Sequence, residues 1–321
     1  MSVTAMNATE RSIVGQFPLW LTVPDMPPLD PALPVVCVGC GSSFHLATSI
    51  AALLNEAGRP AMAVPGGEWW LRPEASVPAG MKVQVIALSR SGASSETVRA
   101  AHRSRDEGRT VLAMTCEPGS PVTEAADVTV IVPTHPDEGI VMTASASMTL
   151  LAGLRLAGQA PDPSIAAQAE RLMSEVGEAA PGLLAGRDHF VFLGAGPLWG
   201  VAREGALKMQ EMAQAMVEAH PTLDYRHGPI SLVSERTLVV MLAAPDAAAE
   251  EISLAGELED RGARVLGLGG PGTERFFVTG PAAYRGVTLL PALQLLGERL
   301  AQAKGLDTTA PRGLSKVVVL G

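Results

Sequence analysis

Short apolar segments recur in the two halves of this chain at a nearly constant distance, and this repetition restricts the possible folds more than any other feature. Three valines within such segments have a counterpart 154 or 155 residues further along the chain. The pairs are Val36 and Val191, Val85 and Val239, and Val111 and Val265. Three elements at one offset indicate a duplicated α/β unit, which is an internal repeat on the scale of a domain.

The apolar segments have the character of strands from a parallel sheet. Each is short, is apolar at nearly every position, and is followed by a stretch with helical character. Strands of this kind are buried on both faces, as in a sheet that helices cover on each side. The predicted strands are 35–38, 61–64, 83–88, 110–114, 128–132, 190–193, 238–242 and 265–268.

Proline residues mark the expected boundary between the two units. With 321 residues, the chain is long enough for two domains of ordinary size. Pro161 and Pro163 lie in the segment from Gly158 to Ser164, just before a helix predicted for residues 165–179. We therefore expect an N-terminal helical arm over residues 1–30, domains over 31–162 and 163–304, and a C-terminal tail over 305–321.

Composition and charge exclude several classes of protein. Hydrophobic residues make up 47% of the chain and charged residues 18%, which provides a large core and excludes general disorder. The net charge of −9 argues against a protein that coats nucleic acid. Three cysteines, an odd number, favour a reducing compartment without a disulfide framework.

The first part of the chain lacks the pattern of a secreted or membrane protein. Arg11 comes late for a signal peptide, and Pro18 interrupts the apolar stretch 13–23. Residues 31–55 carry no formal charge, but the glycines, serines and histidine in their middle suit a strand, a loop and a helix better than a membrane span. We expect a cytoplasmic protein that binds neither membrane nor nucleic acid.

Two turns rich in glycine and hydroxyl groups are candidate binding sites, and the first follows the strand 35–38. Gly41, Ser42 and Ser43 begin a helix there, so that main-chain N–H groups and hydroxyls can bind an anion. An ordinary strand-to-helix turn is the alternative. A dinucleotide site fits less well, because Phe44 stands where the third glycine of the fingerprint belongs and no acidic residue follows the strand 61–64.

The second turn follows the strand 83–88 and contains five hydroxyl side chains within nine residues. These side chains belong to Ser89, Ser91, Ser94, Ser95 and Thr97. Capping a helix requires only one of them. Because open parallel sheets bind ligands at the carboxyl ends of their strands, this run predicts a phosphate site.

The helix after Pro197 carries the candidate catalytic groups. Glu204, Lys208 and Glu211 are spaced by four and then three residues, so they share one helix face. Exposed ion pairs are the ordinary explanation of such spacing. The remainder of this helix is largely apolar, which predicts burial and shifted pKa values suited to proton transfer. His227, in a loop with Gly228 and Pro229, is either structural or catalytic.

A pair of cysteines at CxxC spacing raises the question of redox or zinc chemistry. Cys37 falls within a predicted strand, whereas the thioredoxin-type pair lies at a helix start. A zinc site would need a second pair of ligands at suitable spacing. We expect neither a metal nor another cofactor.

Taken together, these motifs resemble the sugar isomerase (SIS) family with two tandem domains. That family includes the isomerase half of glucosamine-6-phosphate synthase, related deaminases and aldose–ketose isomerases. The stretch from Glu204 through Glu211 to His227 is similar to its catalytic helix and loop, the serine turns to its phosphate cradle, and residues 307–316 to its C-terminal loop. The resemblance implies an α/β protein with two tandem three-layer αβα domains, flavodoxin-like or Rossmann-like, each with a parallel sheet.

The resemblance also implies roles for the matched residues in isomerising a sugar phosphate. Glu211 would move a proton between C1 and C2, and His227, contributed by the neighbouring subunit of a homodimer, would assist ring opening. Lys316 would approach the ketose carbonyl and could form an imine, while Glu204 and Lys208 would position the open chain and tune Glu211. The phosphate would be bound by Gly41, Ser42, Ser43, Ser89, Arg90, Ser91 and Ser94, and a substrate loop would include Ile140 and Thr143.

Differences from the synthase leave the sugar open. Ala144 stands where the synthase has a lysine and Arg90 where it has a glutamine. We also expect no glutaminase domain before the matched region. The leading hypothesis is an isomerase of a hexose or aminohexose 6-phosphate that releases ammonia, as glucosamine-6-phosphate deaminases do. The alternatives are a deglycase or ketose–aldose isomerase of the same family, a non-catalytic sugar-phosphate sensor and a nicotinamide-dependent enzyme.

Overall fold

The structure, a computed structural model that describes residues 6–160 and 162–320, contains two compact units. The described residues within 18–162 and 315–320 form the amino-terminal unit, and residues 6–17 and 163–314 form the carboxy-terminal unit. Pro161, residues 1–5 of the predicted arm and residue 321 of the predicted tail lie outside the described residues. The predicted domain limits stay a prediction, but helix α1 (Ala8–Val14) contacts an element of the carboxy-terminal unit rather than forming a separate arm with residues 18–30.

The amino-terminal unit is built on a parallel sheet. Among the described residues its strands are β1 (Val35–Gly39), β2 (Ala61–Pro65), β3 (Gln84–Leu88), β4 (Val111–Thr115) and β5 (Val128–Ile131), in the order β2-β1-β3-β4-β5. Its helices are α2 (Ser42–Glu56), α3 (Gly66–Leu71), α4 (Ser95–Asp106), α5 (Pro121–Glu124) and α6 (Ala144–Leu156). Every strand pair is parallel, so all carboxyl ends lie at one edge of the sheet.

The carboxy-terminal unit repeats this arrangement. Its described strands are β6 (His189–Gly194), β7 (Val217–Pro221), β8 (Thr237–Leu242), β9 (Arg264–Leu268) and β10 (Glu274–Phe276), in the parallel order β7-β6-β8-β9-β10. Its helices are α7 (Ser164–Leu184), α8 (Pro197–Ala213), α9 (Ala248–Asp260) and α10 (Arg285–Ala303), and α1 packs on α10. The short 3-10 helices Leu223–Arg226 and Pro229–Leu232 flank His227.

The predicted α/β class with two parallel sheets is confirmed, and eight strands follow the predicted segments. In both units the central strands are buried on each face. Val36 and Val85 pack with Ala100 and Trp69 on one side, while Cys37, which has the opposite orientation in β1, is also fully buried. Removing apolar area of this kind from water is the main stabilising contribution to such sheets.

Both units use the same tight turn from their first strand into the following helix. Gly41 at the start of α2 has φ 54° and ψ −126°, and Gly196 at the start of α8 has φ 52° and ψ −129°. Side chains are disfavoured at these positive φ values. The last residue of each strand, Gly39 or Gly194, is also glycine, because a Cβ atom there would lie 2.7 Å or 2.4 Å from the main chain of the helix. The helix can therefore begin directly beside the carboxyl end of the strand.

Among the described residues, no helix combines the length and the apolar character needed to cross a bilayer. Within the uncharged segment 31–55, the structure has the strand β1 and then the helix α2, which packs on β1 and β2.

Candidate functional site

The turn after β1 carries two serine hydroxyls at the carboxyl edge of the amino-terminal sheet. Ser42 and Ser43 are the first residues of α2 and are each 6% exposed. The turn is closed by the main-chain N–H of Ser43, which donates to the Cys40 carbonyl at 3.1 Å. The sequence-predicted residues Gly41, Ser42 and Ser43 thus share one compact turn at a helix N-terminus, which is a favourable environment for an anion.

The serine turn after β3 lies beside it, because β3 is the neighbour of β1 in the sheet. Ser89 is 3% exposed, and its hydroxyl has no hydrogen-bond partner within the described part of the protein. Gly92 has φ +63°, and a Cβ atom there would lie 1.8 Å from the Ser120 hydroxyl, so only glycine fits. Ser94 is the N-cap residue of α4, yet its hydroxyl makes no capping hydrogen bond. Hydroxyls that make no such hydrogen bond within the described residues can donate to an external acceptor such as a phosphate.

The Arg90 side chain is buried and is bonded to other groups of the same unit. Its guanidinium forms an ion pair with Glu138 at 3.2 Å, and the two side chains are only 7% and 1% exposed. It also donates to the carbonyls of Gly139, Ile140 and Lys316 at 3.0, 2.7 and 3.4 Å. What Arg90 can offer a phosphate at this turn is therefore its main chain.

Glu138 is a residue that sequence reasoning missed. Its Oε2 accepts hydrogen bonds from the main-chain N–H of Thr143 and of Ser145, at 3.1 and 2.8 Å, at the start of α6. The hydroxyls of Thr143 and Ser145 donate to the same carboxylate. Thr143, predicted in the substrate loop, is fully buried in this network, whereas Ile140 in the same loop is partly exposed. The only sequence feature that could have indicated this role of Glu138 is its position, as an acidic residue, shortly before the start of a helix.

The tail brings Lys316 to the amino-terminal unit. Its Nζ lies 3.6 Å from a carboxylate oxygen of Glu117, and both side chains are about half exposed. The main chain of the following residues lies along the start of α4, where Ser95 N donates to the Val318 carbonyl and Leu320 N donates to the Ser95 hydroxyl. Lys316 and the serine turn are thus held in the same unit.

In the carboxy-terminal unit, α8 brings the three predicted acid–base residues together. Lys208 Nζ lies 3.3 Å from Glu204 Oε1 and 2.5 Å from Glu211 Oε2. The side chains of Glu204 and Lys208 are fully buried, whereas that of Glu211 is 21% exposed. Burial disfavours the charged amine, but the two carboxylates outweigh it and raise the pKa of Lys208. The result is a buried ammonium with one enclosed and one accessible carboxylate.

The packing of α8 explains why this cluster is enclosed. Gly205 lies between two neighbours, since a Cβ atom there would be 2.8 Å from Leu293 of α10 and 2.9 Å from the Phe192 ring of β6. Gly297 of α10 in turn approaches the main chain of Lys208. Small residues at both crossings let the helices pack closely, so the charged face of α8 is removed from water.

His227 lies on an exposed turn of the same unit. Its main-chain N–H donates to the Asp224 carbonyl at 2.9 Å, and Gly228 has φ +129°, which favours glycine. The preceding Arg226 fixes the turn to α9 through two hydrogen bonds to Glu257, at 2.9 and 3.0 Å. The imidazole is therefore presented at the surface by an anchored loop.

In the described residues, the cysteines are free thiols and do not join other potential ligands in a metal-binding cluster. Cys37 lies inside β1, where burial raises the pKa of its thiol to about 12. Burial also raises the pKa of Cys40, whose Sγ lies 3.4 Å from the Thr97 hydroxyl. Residues 6–160 and 162–320 contain no cluster of three or more His, Cys, Asp or Glu arranged to hold a metal ion.

Comparison with known proteins gives the class of this fold and site. The sequence profile of the SIS domain matches residues 32–157 and 183–271, which is most of the chain and includes one segment from each unit. The chain therefore belongs to the SIS domain family, as the resemblance predicted.

Individual curated proteins are similar to this chain over most of its length. Glutamine–fructose-6-phosphate aminotransferase (isomerizing) from Symbiobacterium thermophilum is 33% identical over 268 residues, which cover 73% of this chain and 43% of that protein. The equivalent protein of Aquifex aeolicus is 27% identical over 310 residues, covering 89% and 52%. This chain thus spans about half the length of the curated relatives it matches.

Solved structures match over nearly the whole chain. The crystal structure of glucosamine-6-phosphate deaminase from Thermotoga maritima has a TM-score of 0.85 at 28% identity, covering 98% of this chain and all of that one. Tagatose-6-phosphate ketose/aldose isomerase from Escherichia coli has a TM-score of 0.82 at 21% identity, covering 95% of both chains, which is a likeness of fold.

Replacing Lys208 with methionine should destabilise the protein strongly, because it leaves the buried Glu204 carboxylate without its cation. We expect a loss of about 3–5 kcal/mol in the free energy of unfolding near neutral pH, measured by urea denaturation. The pKa of Lys208 is raised, so in the wild type its contribution is present at neutral pH and is lost only as the pH rises through that elevated value.

The double variant Glu204→Gln/Lys208→Met should recover part of the loss. Lys304→Met, which removes an exposed lysine of the same unit, should cost about 1 kcal/mol or less. Equal losses for the two lysine variants would contradict the role given to Lys208.

Proposed function

We propose that this protein is a phosphosugar isomerase of the SIS family whose substrate is a hexose or aminohexose 6-phosphate, and that it releases ammonia from glucosamine 6-phosphate. The observation that carries the proposal is the cluster on α8, in which a fully buried lysine contacts an enclosed and an accessible carboxylate. Surface ion pairs need no such burial, which is energetically costly. A buried lysine with a shifted pKa, in contact with an accessible carboxylate, is typical of catalytic sites.

The phosphate would be bound by the two serine turns. Donors there include the hydroxyls of Ser43, Ser89, Ser91 and Ser94, and the nearly buried hydroxyl of Ser89, which has no partner among the described residues, supports this role. Anchoring the phosphate distant from C1 provides binding energy that orients the reacting end of the sugar.

Proton transfer would be carried out by Glu211. In the open-chain aminosugar, its carboxylate removes the C2 proton and returns it to C1 through an enolamine. Water then hydrolyses the resulting C2 imine, which releases ammonia and leaves a ketose. Glu211 suits this role because its carboxylate alone among the three groups is partly exposed, and because Lys208 at 2.5 Å fixes its orientation.

Lys316 and His227 would assist at the two ends of the reaction. The Lys316 amine, about half exposed beside the serine turn, would approach the substrate carbonyl. His227, on its exposed anchored turn, would assist ring opening in the site of a neighbouring subunit of a homodimer. The relatives support the general reaction, since glucosamine-6-phosphate deaminase matches this chain over 98% of its length.

Glu211→Gln tests the proton-transfer role. We expect turnover of glucosamine 6-phosphate to fall by about 10²-fold or more, because the amide cannot accept the C2 proton, while thermal unfolding changes little. Ammonia release and ketose formation are measured together. Glu175→Gln, which alters an exposed ion pair on α7, is the matched control and should keep wild-type turnover. Wild-type turnover in Glu211→Gln would remove Glu211 from this role.

A panel of sugar phosphates separates the proposal from its alternatives. Glucosamine 6-phosphate, fructose 6-phosphate, tagatose 6-phosphate and an N-substituted hexosamine 6-phosphate are first tested for binding by thermal shift, then for isomerisation and amine release. Ammonia from glucosamine 6-phosphate supports the deaminase. Isomerisation without ammonia favours an aldose–ketose isomerase, release of a substituted amine favours a deglycase, and binding with no turnover favours a sensor.

Complementation tests whether subunits share a site. Mixtures of Glu211→Gln with His227→Ala subunits, refolded together, should regain activity that neither variant has alone, since one site in each mixed dimer would contain both native groups. No recovery in mixtures shown to exchange subunits would contradict the assignment of His227 to a neighbour.

A further inference from the structure

One buried ion pair connects three separate segments of the amino-terminal unit. Arg90 follows β3, and its Nη1 lies 3.2 Å from Glu138, which is 48 residues away in the loop before α6. Both side chains are nearly inaccessible, at 7% and 1% exposure. In such a pair both the carboxylate and the guanidinium need further hydrogen bonds, because burial has removed the water that would otherwise solvate each charge.

The Glu138 carboxylate is satisfied by the start of α6. It receives the main-chain N–H groups of Thr143 and Ser145 as well as both hydroxyls, and so it occupies the end of the helix where negative charge is favoured. Glu138 therefore fixes the loop from 138 to 143 against α6. A phosphate at this helix terminus would have to compete with Glu138 for the N–H groups of Thr143 and Ser145.

The Arg90 guanidinium is satisfied by main-chain carbonyls on two other segments. Nη1 donates to Gly139 at 3.0 Å, and Nη2 donates to Ile140 at 2.7 Å and to Lys316 at 3.4 Å. A planar guanidinium with several fixed donors can reach a carboxylate and three carbonyls at once, which a lysine ammonium cannot do. The serine turn, the loop and the tail thus meet at one side chain.

We infer that Arg90 and Glu138 are positioning residues: their side chains hold the main chain of Lys316 and of the loop at 139–140 beside the serine turn, and neither side chain contacts the phosphate. The inference rests on the proposed function for the role of Lys316. The Lys316 amine extends from a main chain that is fixed at its carbonyl, so the position of the amine depends on the buried pair of Arg90 and Glu138.

Hydrogen–deuterium exchange tests the anchoring without any substrate. In Arg90→Gln, the amides of segments 139–145 and 315–320 should exchange about tenfold faster or more, while amides of β1 keep their protection. Arg72→Gln is the matched control, because it breaks an arginine–glutamate pair that is largely exposed. Wild-type exchange at both segments in Arg90→Gln would overturn the inference.

A second variant guards against failure to fold. Arg90→Gln leaves Glu138 buried without a cation, whereas Arg90→Gln/Glu138→Gln removes both charges. If the single variant does not fold, the double variant decides: faster exchange of the tail supports the anchoring, and wild-type exchange overturns it. Arg90→Lys keeps the positive charge but loses the planar guanidinium. In this variant, amide exchange should therefore stay slower in residues 139–145 than in the tail, each relative to wild type.

Binding and turnover then separate positioning from phosphate contact. A hexitol 6-phosphate, which has the phosphate but no carbonyl, should bind Arg90→Gln within about threefold of wild type, while kcat falls by about tenfold or more. Loss of hexitol phosphate binding equal to that in Ser91→Ala would assign the arginine to the phosphate and overturn the inference. If the wild type turns over no sugar phosphate, the proposed function fails, and the exchange experiment alone decides the anchoring.

Discussion

The candidate acid–base site depends on one buried ammonium group. Lys208 balances the charges of two carboxylates at 3.3 and 2.5 Å, and without it the fully buried Glu204 would be an isolated charge in the protein interior. The group is buried because α8 packs closely on β6 and α10, where glycine replaces larger side chains at the crossings. The same packing leaves Glu211 partly exposed, so the interaction that stabilises the helix also orients a carboxylate that solvent can reach.

The two units have the same backbone arrangement but carry different side chains at their candidate functional positions. Gly41 and Gly196 occupy equivalent turns with nearly the same dihedral angles, and the two sheets have the same strand order. The side chains that follow the next strand differ, since serines after β3 correspond to Ala243 and Pro245 after β8. In the proposed function, the amino-terminal repeat provides hydroxyls for an anion and the carboxy-terminal repeat provides the acid–base helix.

The fold was largely predictable because its strands are continuous apolar runs buried on both faces. The strands β7 and β10 were missed: β7 lies at a sheet edge and contains Glu218 and His220, which pair with each other, so it has no apolar run. Helix α7 continues past the predicted end to Leu184. Within the site, spacing along one helix predicted the clustering of the residues on α8, which a local period determines. The pair of Arg90 with Glu138 joins residues 48 apart, and no local pattern encodes such a contact.

Exchange of the sugar C2 hydrogen with solvent tests the central claim most directly, because it reports the proton transfer itself. Glucosamine 6-phosphate is incubated with the protein in deuterated water, and incorporation of deuterium at C1 of the product and at C2 of recovered substrate is followed by proton NMR. We expect deuterium incorporation with the wild type. In Glu211→Gln, both deuterium incorporation and ammonia release should be lost. Incorporation that persists in Glu211→Gln at the wild-type rate would contradict the central claim, since another group would then carry the proton.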